Sequence, residues 1–228
     1  MYYYALLWIV TFPLYSFVIY FIFYFVLLKK TSEPHRASIL LKSISIYIHL
    51  FTLILTLTLN AYFFLNTEVI FGMFITKPDI LWVVLSIPLG IALFEVELRI
   101  KTKLVNSSTQ DTNNTSRISE CFLPNNFLIS LLLLTAIPLL EELIWRGMLI
   151  GVVSEKLAFN LYGTVMLSAI SYGSIHLYFG LKEASIKTLS GIIFSILFMA
   201  SGSIIVPFLT HATMNFKALK YNYELKER

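Results

Sequence analysis

Four side chains able to move a proton or hold an oxyanion stand in the second half of an apolar chain: Glu141, His176, His211 and Asn215. A carboxylate can take a proton from water. Imidazole and carboxamide N–H groups can stabilise the oxyanion that forms when that water attacks a carbonyl. Together they are the parts for base-activated attack of water on a carbonyl. Spacing supplies partners. Glu142 and Arg146 are four apart, so on a helix they pair on one face and neutralise each other. Glu141 is turned about 100° from Glu142 on an α-helix and is left free to face elsewhere. Tyr172 and His176 are four apart, as are His211 and Asn215, so each pair presents two polar groups to one side.

The elements that must carry these groups are membrane helices. Of 228 residues, 57% are hydrophobic and only 13% charged, about half the roughly 25% of a soluble domain. The mean hydropathy is +0.79. Lipid offers no partner to an open backbone amide, so helices are the expected form. The chain reads as an all-α polytopic transmembrane bundle of about seven spans: 5–28, 43–65, 80–94, 127–149, a fifth within 157–179, 188–201 and 203–216. The first 28 residues carry no charge and no basic start, so they read as a retained helix and not as a signal peptide. In domain terms this gives an N-terminal three-span region (1–95), a polar loop (96–126), a four-span core (127–217) and a tail (218–228). Residues 105–126 are rich in Ser, Thr and Asn and read as a flexible loop.

Basic residues set the orientation. Lys29, Lys30, Arg36 and Lys42 follow the first span, and Arg99, Lys101, Lys103 and Arg117 follow the third. Lys182 and Lys187 follow the fifth, and Lys217, Lys220, Lys226 and Arg228 end the chain. The opposite side holds only Lys77 and Lys156. By the positive-inside rule the N-terminus lies outside and the C-terminus in the cytoplasm. The net charge of +4 therefore reports topology, and no nucleic-acid partner is expected. The partner expected from composition is membrane lipid.

An ionised side chain at a helix centre costs roughly 2.5–3.5 kcal/mol on insertion scales, so each one within a span is a functional candidate. The first three expected spans hold only His49, whose plain reading is a hydrogen-bonded link between helices. Glu142 with Arg146 reads first as a structural pair, and Trp145 and Tyr172 as packing aromatics. Other chemistries lack their parts. The aspartates, Asp79 and Asp111, both lie in loops, HExxH does not occur, and the one cysteine, Cys121, precedes the fourth span. Ser174 is two residues from His176, and such residues point to different helix faces.

Three short motifs stand in order on the last apolar segments: EELIWR over residues 141–146, YGSIH over 172–176 and HATMN over 211–215. This chain resembles the CPBP family, the CAAX-protease and bacteriocin-processing membrane proteins, whose motifs are EExxxR, FxxxH and HxxxN. The resemblance covers roughly residues 125–217, and Gly147 fits the usual step after the arginine. Tyr172 departs from it by standing where the family usually has Phe. The resemblance implies an intramembrane endopeptidase of a bacterial cell membrane, with a peptide or lipidated or membrane protein as substrate, acting in peptide processing, bacteriocin immunity or signalling. It implies Glu141 as general base, His176 positioning the water, His211 and Asn215 as the oxyanion hole, and Glu142 and Arg146 holding the site together. No cofactor is expected. The alternative is a zinc ion held by Glu141, His176 and His211, which are legitimate ligands for an open catalytic site.

Depth sets one condition. With a fifth span over 157–179, His176 and Glu141 would differ in depth by more than about 10 Å at ~1.5 Å per residue. The fifth helix is therefore expected to start near Gly163, with residues 148–162 as an interfacial link. Two rival functions remain. One is a non-catalytic scaffold that uses the polar pairs for packing. The other is a transporter with a Glu/His proton relay, although no internal repeat of the kind common in transporters is visible. Convergence of the four residues on one cavity is the discriminating observation.

Overall fold

The computed structural model describes residues 2–63, 78–106, 127–154, 157–158 and 160–226, and among these the chain is helical throughout with no strand. The elements run α1 (Tyr2–Val10), α2 (Phe12–Thr31), α3 (Pro34–Phe63), α4 (Ile80–Asn106), α5 (Phe127–Glu142) continued by a π-helical segment (Leu143–Ser154), α6 (Leu161–Ser174), a 3-10 turn (Leu177–Phe179), α7 (Leu181–Ser201) and α8 (Ile205–Lys226). Among the described residues five stretches are long and apolar enough to cross a membrane: Phe12–Thr31, Ser43–Tyr62, Ile80–Lys103, Leu128–Gly151 and Leu181–Ser201. The protein is an integral membrane protein built as an all-α bundle.

The expected count of about seven spans is slightly higher than the five found among the described residues. α6 has only 14 residues, about 21 Å at 1.5 Å per residue against a hydrocarbon core of about 30 Å. α8 has 22 residues but turns polar after Asn215, with Lys217, Lys220, Asn222 and Glu224. Both are packed on neighbours, α6 on α7 and on the π-helical segment, α8 on α4 and α5, so neither must bury its backbone against lipid alone.

The first expected span is two helices. Thr11 is the N-cap of α2, with Pro13 in its first turn. Proline has no N–H to give, and that loss costs nothing where the amide would be unpaired anyway. A new helix therefore starts here. α1 folds back onto the π-helical segment, and Phe12 packs on Trp145 with ring centroids 5.7 Å apart. α4 outruns the expected third span by a dozen residues, because charges that read as loop signals are paired instead. Lys101 Nζ bonds Glu97 Oε1 at 2.7 Å and Glu183 Oε1 at 2.8 Å. Lys187 Nζ donates to both Glu97 oxygens at 2.9 and 3.0 Å. This ion-pair cluster ties α4 to α7, which begins at Leu181 and not at residue 188.

Residues 107–126, the body of the expected flexible loop, lie outside the described residues, as do Lys77 and Lys156. The expected interfacial link over 148–162 is replaced in its first half by the π-helical segment. Met148 and Leu149 there are fully buried. The start of α6 at Leu161 stands close to the expected position near Gly163.

Two close approaches fix the bundle around the polar residues. A Cβ at Gly90 of α4 would overlap the Thr210 carbonyl of α8 and stand 2.8 Å from Thr213 Cβ. Only glycine lets α4 lie against the turn of α8 that carries His211. A Cβ at Gly173 of α6 would overlap the Thr188 side chain and stand 2.6 Å from the Ala184 carbonyl, so α6 and α7 also meet at a glycine.

Candidate active site

Glu141 and Glu142 end α5, where the hydrogen bonding changes from α to π. π-helical turns are rare and occur mostly near functional sites. The shift from i→i+4 to i→i+5 bonding leaves carbonyls to be served by other partners. Ser168 Oγ of α6 donates to the Trp145 carbonyl at 2.9 Å, which pins the segment to α6. Arg146 is fully buried. It reaches Glu142 from Nη1 at 3.3 Å and donates from Nη2 to the Gly191 carbonyl of α7 at 2.9 Å. Its guanidinium carbon lies 5.0 Å from the Tyr172 ring centroid and 5.4 Å from that of Phe194. One carboxylate, one carbonyl and two ring faces thus surround the cation. That is what a buried charge requires if it is not to cost several kcal/mol.

Glu142 holds the next group. Its Oε1 is 2.9 Å from His211 Nδ1. An ionised carboxylate only accepts, so Nδ1 carries the hydrogen. The imidazole is fixed in orientation by that bond and by Phe194, which stacks on it at 4.7 Å with a 20° interplanar angle. Its other nitrogen, Nε2, faces the Tyr172 hydroxyl at 3.4 Å and Glu141 Oε2 at 3.7 Å. His211 therefore stands between the two glutamates, although they point in different directions.

Glu141 is not the free carboxylate the sequence suggested. Its Oε1 accepts from His49 Nε2 of α3 at 2.8 Å. The plain reading of His49 as a link between helices holds, but its partner is the candidate base itself. The two lie 92 residues apart in sequence, and no local pattern connects them. The usable signal was that His49 was the one ionisable residue in the first three expected spans.

α6 ends at Ser174, so His176 lies in the turn leading to Leu177–Phe179 and not on the helix with Tyr172. Its Nδ1–H donates to the Tyr172 carbonyl at 3.1 Å, which leaves Nε2 as an acceptor edge. Tyr172 itself is buried, packs as expected of an aromatic in the core, and also presents its hydroxyl to His211. Asn215 lies one turn beyond His211 on α8.

A cavity of about 210 Å³ is lined by all four of Glu141, His176, His211 and Asn215. His49, Tyr172 and Lys187 also line it, and Leu133, Leu134 and Ile137 of α5 form an apolar wall. The geometric condition set by the sequence is met. Among the described residues no three of His, Cys, Asp and Glu stand so as to hold one metal ion. Glu141, His176 and His211, the alternative zinc ligands, do not form such a group as they stand, although the Glu142 bond to His211 Nδ1 is of the kind that orients a metal-ligating imidazole.

Residues 123–217 match the model of the family described as Type II CAAX prenyl endopeptidase Rce1-like. The match spans all three motifs and agrees with the resemblance to CAAX-protease membrane proteins; it supports a membrane protease acting on a protein substrate. Among curated proteins and solved structures nothing matches the chain. His49 and the whole of α1 to α4 lie outside the matched residues.

Proposed function

Proceeding from the Rce1-like segment, we propose that this protein is an intramembrane endopeptidase that hydrolyses a peptide bond with a water activated by Glu141. The observation that carries the reading is the shared cavity, which brings one carboxylate, two imidazoles and one carboxamide to the same space beside an apolar wall. Glu141 takes a proton from the water as the water oxygen attacks the scissile carbonyl. His176, with Nδ1–H committed to the Tyr172 carbonyl, accepts from the water at Nε2 and aims it. The Asn215 amide and His211, carrying a proton on Nε2 as well as the one on Nδ1, donate to the developing oxyanion. Glu142 and Arg146 hold His211 in place, and Glu142 thereby acts on the reaction without touching the substrate. As the tetrahedral intermediate collapses, the proton held by Glu141 passes to the leaving amine.

At about 210 Å³ the cavity is smaller than the roughly 300–1,000 Å³ of a small-molecule pocket. It suits a scissile bond and its water, with the rest of the substrate lying along the helices. The apolar wall of Leu133, Leu134 and Ile137 favours a lipidated peptide or a membrane-anchored segment, and the CAAX type of the matched family agrees with a lipidated C-terminus. Peptide processing or signalling in a bacterial membrane, with the N-terminus outside, completes the reading.

The test compares protein termini in membranes carrying the wild type with those carrying Glu141→Ala. New termini close to a lipidated or membrane-anchored segment, present only with the wild type, are expected. Identical termini in both would favour a non-catalytic scaffold and sink the reading. A transporter with a Glu/His relay would instead move protons into liposomes without cutting anything.

A further inference from the structure

We infer that His49 is a positioning residue for the reaction, supplied by the part of the chain outside the Rce1-like segment; this rests on Glu141 being the base. The geometry is specific. His49 Nε2 donates to one oxygen of Glu141, Oε1, at 2.8 Å. The other oxygen, Oε2, stands 3.7 Å from His211 Nε2, beyond hydrogen-bond reach. A carboxylate gripped at one oxygen cannot rotate about its terminal torsion, so the second oxygen keeps its aim into the cavity. Without that grip the terminal torsion of a glutamate is broad and roughly two-fold. Both residues line the same cavity, so the grip is made at the site itself.

The turn of α3 that carries His49 is itself braced. Tyr20 of α2 donates from its hydroxyl to the Ser45 carbonyl at 2.8 Å, one turn before His49. Thr52 Oγ1 donates to the His49 carbonyl at 2.8 Å. A little further along, Tyr15 of α2 bonds Thr56 of α3 through their hydroxyls. Thr52 and Thr56 are fully buried. A link that served only to join helices could fall on any polar group of α5. This one falls on the carboxylate that the reaction uses, and it is backed by bonds on both sides of His49. The N-terminal helices therefore hold the catalytic carboxylate at a set angle.

Two amide variants of different reach test the inference. In His49→Gln the amide nitrogen lies about where Nε2 does and can still donate to Glu141. In His49→Asn it falls short by one carbon. Each is purified with the wild type and with Glu141→Gln, reconstituted in liposomes, and assayed on a quenched farnesylated peptide with a CAAX-type C-terminus. Melting temperature in detergent normalises for folded protein. His49→Asn is expected to lose about 10²-fold in kcat at unchanged KM, the scale of misplacing a catalytic group by about 1 Å. His49→Gln is expected to keep kcat within a few-fold of the wild type. Equal kcat in His49→Asn and the wild type, with Glu141→Gln inactive, overturns the role of His49 alone. So does a kcat loss in both variants, which would mark the histidine as needed for something other than its donor. Activity in Glu141→Gln, or a wild type that leaves the peptide uncut, overturns the proposed function beneath it.

Discussion

Arg146→Ala and Asn215→Ala should fail in different ways. The arginine neutralises Glu142 where both are fully buried, and removing one partner of a buried pair costs about 3–5 kcal/mol because the other charge is stranded. Arg146→Ala is therefore expected to lower the melting temperature and the yield of folded protein in detergent; wild-type stability would show that Glu142 is balanced by another group. Asn215 lines the cavity with His211. Its loss is expected to leave stability unchanged and lower kcat by about 10²–10³, the range for one oxyanion-hole donor. A loss confined to KM would assign Asn215 to substrate binding. At this scale the sequence was informative wherever partners were four residues apart. Glu142 with Arg146 could be read from spacing alone. His49 with Glu141 could not, because the bond joins α3 to α5, and helix periodicity says which residues share a face but not which face meets which neighbour.

Among the helices, the packing of α6 on α7 offers a paired test. A Cβ at Gly173 would stand 2.6 Å from the Ala184 carbonyl, whereas one at Gly163 would meet nothing within 4 Å. Gly173→Ala is expected to destabilise by about 1–3 kcal/mol through overpacking. Gly163→Ala, in the same helix and without a clash, is expected to be neutral or to stabilise by about 0.5–1 kcal/mol, since glycine is the poorer helix former. Thermal melts of the two variants decide it, and equal effects would contradict the close approach. The long apolar runs marked α2, α3, α4, α5 and α7 plainly in the sequence, because membrane spans advertise themselves by composition. The break at Thr11 was signalled by Pro13 but masked by an unbroken apolar stretch on both sides. The π-helical segment left no sign at all. An apolar run reads alike in α and π form, and the partner that accommodates it, Ser168 on the Trp145 carbonyl, is a tertiary contact.

Taken whole, the molecule joins the helices α1 to α4 to an Rce1-like segment, with the cavity shared between them. Tyr20, Ser45 and His49 from α2 and α3 line it alongside residues of α5, α6 and α8. The three motifs made the cavity's polar end legible in sequence, since their order and spacing survive on consecutive apolar segments. Its other wall was not legible, for the N-terminal helices carry no comparable pattern. Metal dependence is a property of the assembled site, and a water activated by Glu141 with donors from His211 and Asn215 needs no ion. Activity is accordingly expected to survive strong chelators at full rate. Loss on chelation and return with added zinc would establish the zinc alternative in place of the glutamate mechanism.

The most direct measurement is the turnover of a cleaved peptide by purified, liposome-reconstituted wild type and Glu141→Gln side by side. The substitution keeps the size of the side chain and an acceptor oxygen for His49 but removes the base. Turnover is expected to fall by about 10²–10⁴, the usual contribution of a general base, with the melting temperature close to that of the wild type. Wild-type turnover by folded Glu141→Gln would contradict the central claim that this carboxylate activates the water.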